Sequence, residues 1–318
     1  MQLFDMHCDT LYRAYTEHST LFNDSFHISF RKAADIRPYI QCLAVWIPDE
    51  YRGAAAWELF CGCVEKLKEQ LKGTDIIWCR TADDLRRVKD EKGQGIILTA
   101  EGGAVLGGNL EKIAVMYDMS VRMMTLTWNG RNELGDGIME KENRGLTPFG
   151  RAAVREMERV GMIVDVSHAG EALFWDVAAI AGKPFVASHS NIRAVTNHPR
   201  NLTDEQFYKL MKVGGLTGLN FCADFLDSKN SETPFPKILH QSGMYDIIKH
   251  TAYMLSLGGK DHIAMGADFD GAELPEDIRG IESMKVLYDL FAEHFGEDTA
   301  DAVFFDNAFR FFSSRCFS

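Results

Sequence analysis

The chain of 318 residues has no apolar run approaching the ~18 residues of a membrane-spanning helix, so a protein folded in water is expected. Its opening, MQLFDMHCDTLYRAY, has no basic stretch leading into an apolar segment. Its end, FFSSRCFS, is neither a lipidation box nor a long hydrophobic tail, so neither a secretory leader nor a membrane anchor is expected. No lysine- or arginine-rich run interrupts a formal charge of −12, from 34 basic and 46 acidic side chains. That balance repels nucleic acid and anionic lipid, which are excluded as partners. Paired cysteine spacing is missing as well. Seven cysteines, an odd number at irregular intervals, fit reduced thiols and a cytoplasmic location better than a disulfide framework. Cys61 and Cys63 lie in an amphipathic helical pattern without a second Cys or His pair, and read as small core-facing hydrophobes. Internal repeats, low-complexity tracts and linkers are also absent, so residues 1–318 are read as one domain.

What is present is the composition of a globular protein: 46% hydrophobic and 25% charged residues supply a large core. Eight short apolar segments recur, at 3–9 (LFDMHCD), 40–47 (IQCLAVWI), 95–101 (GIILTAE), 121–127 (VRMMTLT), 161–168 (GMIVDVSH), 184–190 (PFVASHS), 214–221 (GGLTGLNF) and 262–269 (HIAMGADF). Between them, apolar residues at three-four spacing predict helices at 54–72, 81–90, 109–118, 148–160, 170–181, 203–213 and 243–257. Thr147-Pro148 reads as an N-cap followed by proline at the first helical position, and Thr203 with Asp204, Glu205 and Gln206 as a capped acidic first turn. Strand-helix alternation requires parallel strands with helical crossovers, and eight repeats can close the sheet. The predicted fold is therefore α/β, a (β/α)₈ TIM barrel, with 278–313 as two further C-terminal helices outside it. An open doubly wound sheet is the runner-up, weakened because no G-x-G-x-x-G follows the first strand. Residues 10–38 and 222–242 are long connections that follow strands and should rise over the barrel mouth.

The chemistry-bearing residues collect at the carboxyl ends of these segments. In an extended strand His7 and Asp9 share a face while Cys8 points away. Glu101 ends the third segment, His168 the fifth, His189 the sixth, and Asp268 falls at the end of the eighth. In a barrel those ends meet on one face. A lone buried histidine is more often a satisfied core residue, and a lone carboxylate more often a helix cap, but six such residues at strand ends point to one site. Imidazole and carboxylate without thiolate suit Zn²⁺ first, with Mn²⁺, Co²⁺ or Fe²⁺ as alternative occupants. Five ligands exceed one open tetrahedral site and fit two metals per chain, with Glu101 bridging, His7 and Asp9 on one ion, and His168 and His189 on the other. A hydroxide shared by the two ions would attack a polarised carbonyl, and Asp268 is left as the proton shuttle or, alternatively, a sixth ligand. Asp270 could replace Asp268 or orient a histidine.

These segments in this order resemble the membrane (renal) dipeptidase family, zinc dipeptidases of the amidohydrolase-like barrels. The resemblance rests on DMHCDTL, TAEGG, RMMTLTWN, GLTPFGRAAVREMERVGMIVDVSH, FVASHSNIRAV, HPRNLTDEQ, GLNF and GADFDG, and runs over nearly the whole chain. It implies a binuclear zinc site at His7, Asp9, Glu101, His168 and His189, with Asp268 as acid/base. It also implies that Arg200 receives the C-terminal carboxylate of a dipeptide, a role for which a planar guanidinium is suited. A homodimer is the family expectation. Two positions depart from the family's pattern. Trp128 stands where mammalian members carry a histidine that contacts the scissile carbonyl, offering one N–H donor and a large apolar face instead. Phe225 stands where some relatives have tyrosine. Both are expected to touch substrate.

The sequence thus predicts a metal-dependent dipeptidase. A related barrel metallohydrolase acting on N-acyl amino acids or other small amides and esters is the alternative, although the absence of any His-x-His pair argues against the commoner amidohydrolase pattern. HExxH is absent too, which excludes a zincin-type helix site. A metal-stabilised binding protein without catalysis would be expected to have lost the shuttle, yet Asp268 is present.

Overall fold

Strand and helix alternate as the periodicity predicts in a computed structural model that describes residues 1–226 and 243–315. Among the described residues eight strands are formed: β1 (Leu3–Asp5), β2 (Tyr39–Trp46), β3 (Ile77–Trp78), β4 (Gln94–Glu101), β5 (Val121–Thr125), β6 (Ile163–Asp165), β7 (Thr217–Leu219) and β8 (Ile263–Met265). Every ladder is parallel, and the order along the sheet is β6-β5-β4-β2-β1-β8-β7, with β3 attached to β4 off this path. The two ends of the path meet through residues 186 and 187. Asp165 bridges Val186 and Ala187 bridges Thr217, with Val186 N–H donating to Val164 O at 3.0 Å and Ala187 N–H to Leu216 O at 2.9 Å. The sheet is therefore closed, and the chain is a (β/α)₈ barrel with additional C-terminal helices.

Two strands differ from expectation. The segment at 184–190 contributes isolated bridges at Val186 and Ala187 rather than a continuous strand. At Ser188 it passes so close to Gly218 and Gly266 that a Cβ on either would lie 1.9 Å from the Ser188 carbonyl oxygen. β3 was not anticipated, since two residues are too few to show a period. The predicted helices form at Gly53–Leu71, Ala82–Asp90, Glu111–Asp118, Pro148–Val160, Glu171–Ile180, Asp204–Val213 and Met244–Ser256. Thr147 accepts from Gly150 N–H ahead of Pro148, and Thr203 with Gln206 forms a reciprocal capping box.

One apolar cluster takes a residue from each of eight segments around the barrel, Phe4, Ile40, Ile97, Met123, Ile163, Val186, Leu216 and Ala264, and joins them to Phe305, Phe311 and Phe312. The last helix, Asn307–Arg315, thus closes the amino-terminal end of the barrel, with the Phe4 and Phe312 rings 5.0 Å apart. A larger cluster packs strands against the outer helices. Cys63 belongs to it and Cys61 packs half-buried against it, as small hydrophobes would. The tail holds more than the two helices expected: Met284–Phe295, Glu297–Asp301 and a π-turn at Ala302–Asp306 precede the last one. Of the two long connections, the first contains a short helix, Thr10–Thr16, and most of the second, residues 227–242, lies outside the described residues. Among the described residues no helix is long and apolar enough to cross a membrane.

Candidate metal centre

The strand ends deliver His7, Asp9, Glu101, His168, His189 and Asp268 to one buried cluster at the carboxyl-terminal mouth. Glu101 is the last residue of β4. Asp9 occupies the N-cap position of the helix Thr10–Thr16 but makes no side-chain cap, so its carboxylate is available to the cluster. Cys8 points elsewhere, its thiol toward Cys42 O. His168 and Asp268 take left-handed backbone angles, φ 64° and 61°, which non-glycine residues adopt at a cost and which aim both side chains inward. Gly271 lets the chain pass close by: a Cβ there would fall 2.0 Å from Asp9 Oδ2 and 2.7 Å from Asp268 Oδ1.

One half of the cluster consists of His168, His189 and one oxygen of Glu101. His168 Nδ1 lies 2.9 Å from Asn129 Oδ1, and His189 Nδ1 lies 2.7 Å from Ser188 Oγ, whose own proton goes to Asp165 Oδ2 at 2.5 Å. Both histidines therefore donate through Nδ1, which leaves each Nε2 with an unshared lone pair. Burial, with added repulsion from nearby Arg200 and His7, holds both pKa values well below the usual imidazole range, so the rings are neutral. The two Nε2 atoms are 2.9 Å apart, and Glu101 Oε1 stands 3.0 Å from one and 3.5 Å from the other. The two Nε2 lone pairs thus converge on one Glu101 oxygen. Donors about 2.1 Å from a common ion stand about 3 to 3.5 Å from each other, so a divalent cation fits this group.

The other half is organised by charge. His7 Nε2 lies 3.4 Å from Asp9 Oδ2, 3.7 Å from Glu101 Oε2 and 3.8 Å from Asp268 Oδ1, and has no hydrogen-bond partner; neither has Asp9 Oδ1. Burial opposes a charge on His7, yet Glu101, Asp9 and Asp268 outweigh it and raise its pKa to about 10. Burial likewise raises the pKa of Asp9, and that of Glu101 well above the usual carboxylate range. Such a position calls for a cation, whether proton or metal. The two oxygens of Glu101 face different histidines, the geometry of a carboxylate able to bridge two ions. Asp268 Oδ2 accepts from Asn220 Nδ2 at 2.9 Å, which fixes the carboxylate with Oδ1 toward His7.

Asp270 does not join this group. Its fully buried carboxylate accepts from Thr10 Oγ1 at 2.6 Å, Arg13 Nη1 at 3.1 Å and the His27 and Ile28 amides at 2.8 and 3.3 Å, tying the first long connection to the barrel rim. Arg200 is buried beside the site. Among the described residues its side chain makes only long hydrogen bonds, to Ser190 Oγ at 3.3 Å and His189 O at 3.4 Å, and its Nε has no partner. The guanidinium lies over the Phe225 ring, 5.3 Å from its centroid. Trp128 packs edge-to-face on Trp46 and reaches within 6.2 Å of the His168 ring. A cleft of about 510 Å³ opens above, bordered by Asp9, Glu101, His168, Asp268, Trp128 and Phe225. Asn129, Ser188 and Asp165, which brace the two neutral histidines, were not anticipated from sequence, although all three adjoin or lie within the WN, SHS and DVSH motifs.

A family model described as membrane dipeptidase (peptidase family M19) matches residues 1–315. A Klebsiella pneumoniae protein, described only as uncharacterized and in the pqqA 5′ region, is 31% identical over 73% of this chain and 86% of its own length. An uncharacterized dipeptidase of Schizosaccharomyces pombe is 28% identical over 69% of this chain, a match that spans 51% of the fungal protein. A metallo peptidase from Rhodobacter sphaeroides, solved with a phosphinate mimic of the dipeptide L-Ala-D-Ala, superposes with a TM-score of 0.89 at 24% identity, covering 100% of this chain and 99% of that one.

Proposed function

The chain belongs to the membrane dipeptidase family, and from that premise we propose that it is a dipeptidase, hydrolysing the peptide bond of dipeptides that end in a free carboxylate. His7, Asp9, Glu101, His168 and His189 would hold two divalent cations, with Zn²⁺ the occupant best matched to nitrogen and oxygen donors. The carrying observation is the convergence of His168 Nε2, His189 Nε2 and Glu101 Oε1, 2.9 to 3.5 Å from one another in a buried site. Cations bound there supply Lewis acidity, polarising a carbonyl and bringing the pKa of water toward neutrality.

The chain's own residues do the rest. Asp268, its Oδ2 held by Asn220, takes a proton from the attacking water and passes it to the leaving amine, so that each bond cleaved consumes one water and yields two amino acids. Arg200 is a buried cation with no carboxylate in ion-pair contact among the described residues, an arrangement that favours an incoming anion. Two parallel N–H bonds to a substrate carboxylate would place the scissile bond between Arg200 and the metal ligands. The dipeptide mimic bound by the Rhodobacter sphaeroides neighbour supports a substrate of this size. No disulfide joins the six described cysteines, which supports a reducing, cytoplasmic setting.

The test is to load the purified protein with Zn²⁺ and offer L,L- and L,D-dipeptides beside N-acyl amino acids. Dipeptide turnover is expected, and Arg200→Ala should raise KM far more than it lowers kcat. Absence of turnover of any dipeptide by the metal-loaded protein overturns the reading, and turnover of N-acyl amino acids alone reassigns the substrate.

A further inference from the structure

Around the closed sheet β7 lies across the barrel from β2, β4 and β5, which gives the cleft two unlike sides. Phe225, which follows β7 and has the Arg200 guanidinium over its ring, borders one. On the other stand three aromatic rings in continuous edge-to-face contact: Tyr12 and Trp46 have centroids 4.9 Å apart at 72°, and Trp46 and Trp128 4.9 Å apart at 64°. Each comes from a different element. Tyr12 lies on the helix Thr10–Thr16, Trp46 is the last residue of β2 and sits opposite Glu101 in register, and Trp128 follows β5. All three border the cleft that Glu101 and Asp268 also border. Rings locked edge-to-face keep their shape on contact with a ligand, so they offer a preformed apolar surface at little entropic cost.

Resting on the dipeptidase reading, the order across the cleft assigns the substrate's two ends. A carboxylate held at Arg200 and a carbonyl at the metal ligands direct the amino-side residue away from Phe225, along the aromatic side. We propose that Tyr12, Trp46 and Trp128 form the subsite for the side chain of the substrate's amino-terminal residue, and that they select large apolar side chains over small or polar ones. Trp128 then acts as a specificity residue, its ring supplying apolar area at the cleft.

The experiment compares kcat/KM of the zinc-loaded enzyme for leucyl-, phenylalanyl-, asparaginyl- and glycyl-alanine, which share one carboxyl-terminal residue. Leucyl- and phenylalanyl-alanine should exceed the other two by about tenfold or more, asparagine serving to separate apolarity from size. Trp128→Ala should shrink that preference to within about threefold while glycyl-alanine hydrolysis stays measurable, which also reports that the variant has folded. Should the alanine variant fail to fold, Trp128→Leu keeps an apolar but smaller side chain and should reduce the preference for phenylalanyl- over glycyl-alanine below that of the parent. Equal rates for all four substrates in the parent enzyme overturn the subsite and leave the dipeptidase reading standing, as does a preference that survives the Trp128 substitution unchanged. Absence of hydrolysis of all four overturns both.

Discussion

The two ends of the barrel are built on opposite terms. At the amino-terminal end, Phe4, Phe305 and Phe312 are fully buried in one cluster with apolar residues of every strand segment. At the carboxyl-terminal mouth, His7 Nε2, Asp9 Oδ1 and Arg200 Nε are buried without partners, and His168, Asp268 and Asp270 hold left-handed backbone angles of 64°, 61° and 65°. Strain and unsatisfied polarity of this kind cost stability and are tolerated where function requires them. The difference implies a division of labour, in which the floor secures the fold and the mouth draws on that stability to hold reactive groups in place.

Asp268→Asn should produce the largest effect and fall on one side of that division. Removing a general acid/base should lower kcat about 10²- to 10⁴-fold. Metal content should stay near that of the parent, and the melting temperature of the metal-free protein should not fall, since one of three crowded carboxylates is neutralised. Metal lost together with activity would make Asp268 a ligand instead. The complementary change is Phe312→Ala at the floor. It should cost about 3 to 5 kcal/mol in denaturant unfolding while kcat and KM of the folded enzyme stay within about twofold. A large change in kcat would show that the ends are coupled and the division false.

Ser188→Ala probes the boundary between the two regimes. Ser188 Oγ links the buried Asp165 carboxylate to His189 Nδ1. It therefore fixes which nitrogen of His189 faces the cluster, and removing such a brace should weaken zinc binding about 10- to 100-fold in a chelator competition. A melting temperature that drops with zinc affinity unchanged would assign Ser188 to the scaffold.

How much of this was legible in sequence follows from the range of each interaction. The helices could be read because caps such as Thr147 and Thr203 act within three residues, and the strand ends because the barrel sends them all to one face. What escaped depends on contacts across the fold. In sequence Asp270 stands as an alternative to Asp268 or a brace for a histidine; its partners Thr10, Arg13 and His27, more than 240 positions away, claim its carboxylate. The close approach of Ser188 to Gly218 and Gly266 joins segments far apart in the chain, which no local pattern encodes. Trp46 read as an apolar strand residue, and only the closed sheet turned it toward the cleft beside Trp128.

The smallest effect tests the division where the two regimes adjoin. Thr203 is half-buried, yet its hydroxyl accepts from Gln206 N–H while Gln206 Oε1 accepts from Thr203 N–H, fixing the first turn of Asp204–Val213. Thr203→Ala removes half of that exchange and should cost about 1 kcal/mol, seen as a fall of a few degrees in Tm. The loop carrying Arg200 ends just before this helix, and its own bonds are independent of the cap: Leu202 N–H donates to Asn191 O, and Asn201 Nδ2 to Thr196 O and Phe225 O. With those bonds intact the guanidinium should keep its place, so KM for a dipeptide should be unaltered. A KM that rises while kcat holds would mean that the cap positions Arg200, and that the boundary between scaffold and site runs through the helix rather than above it.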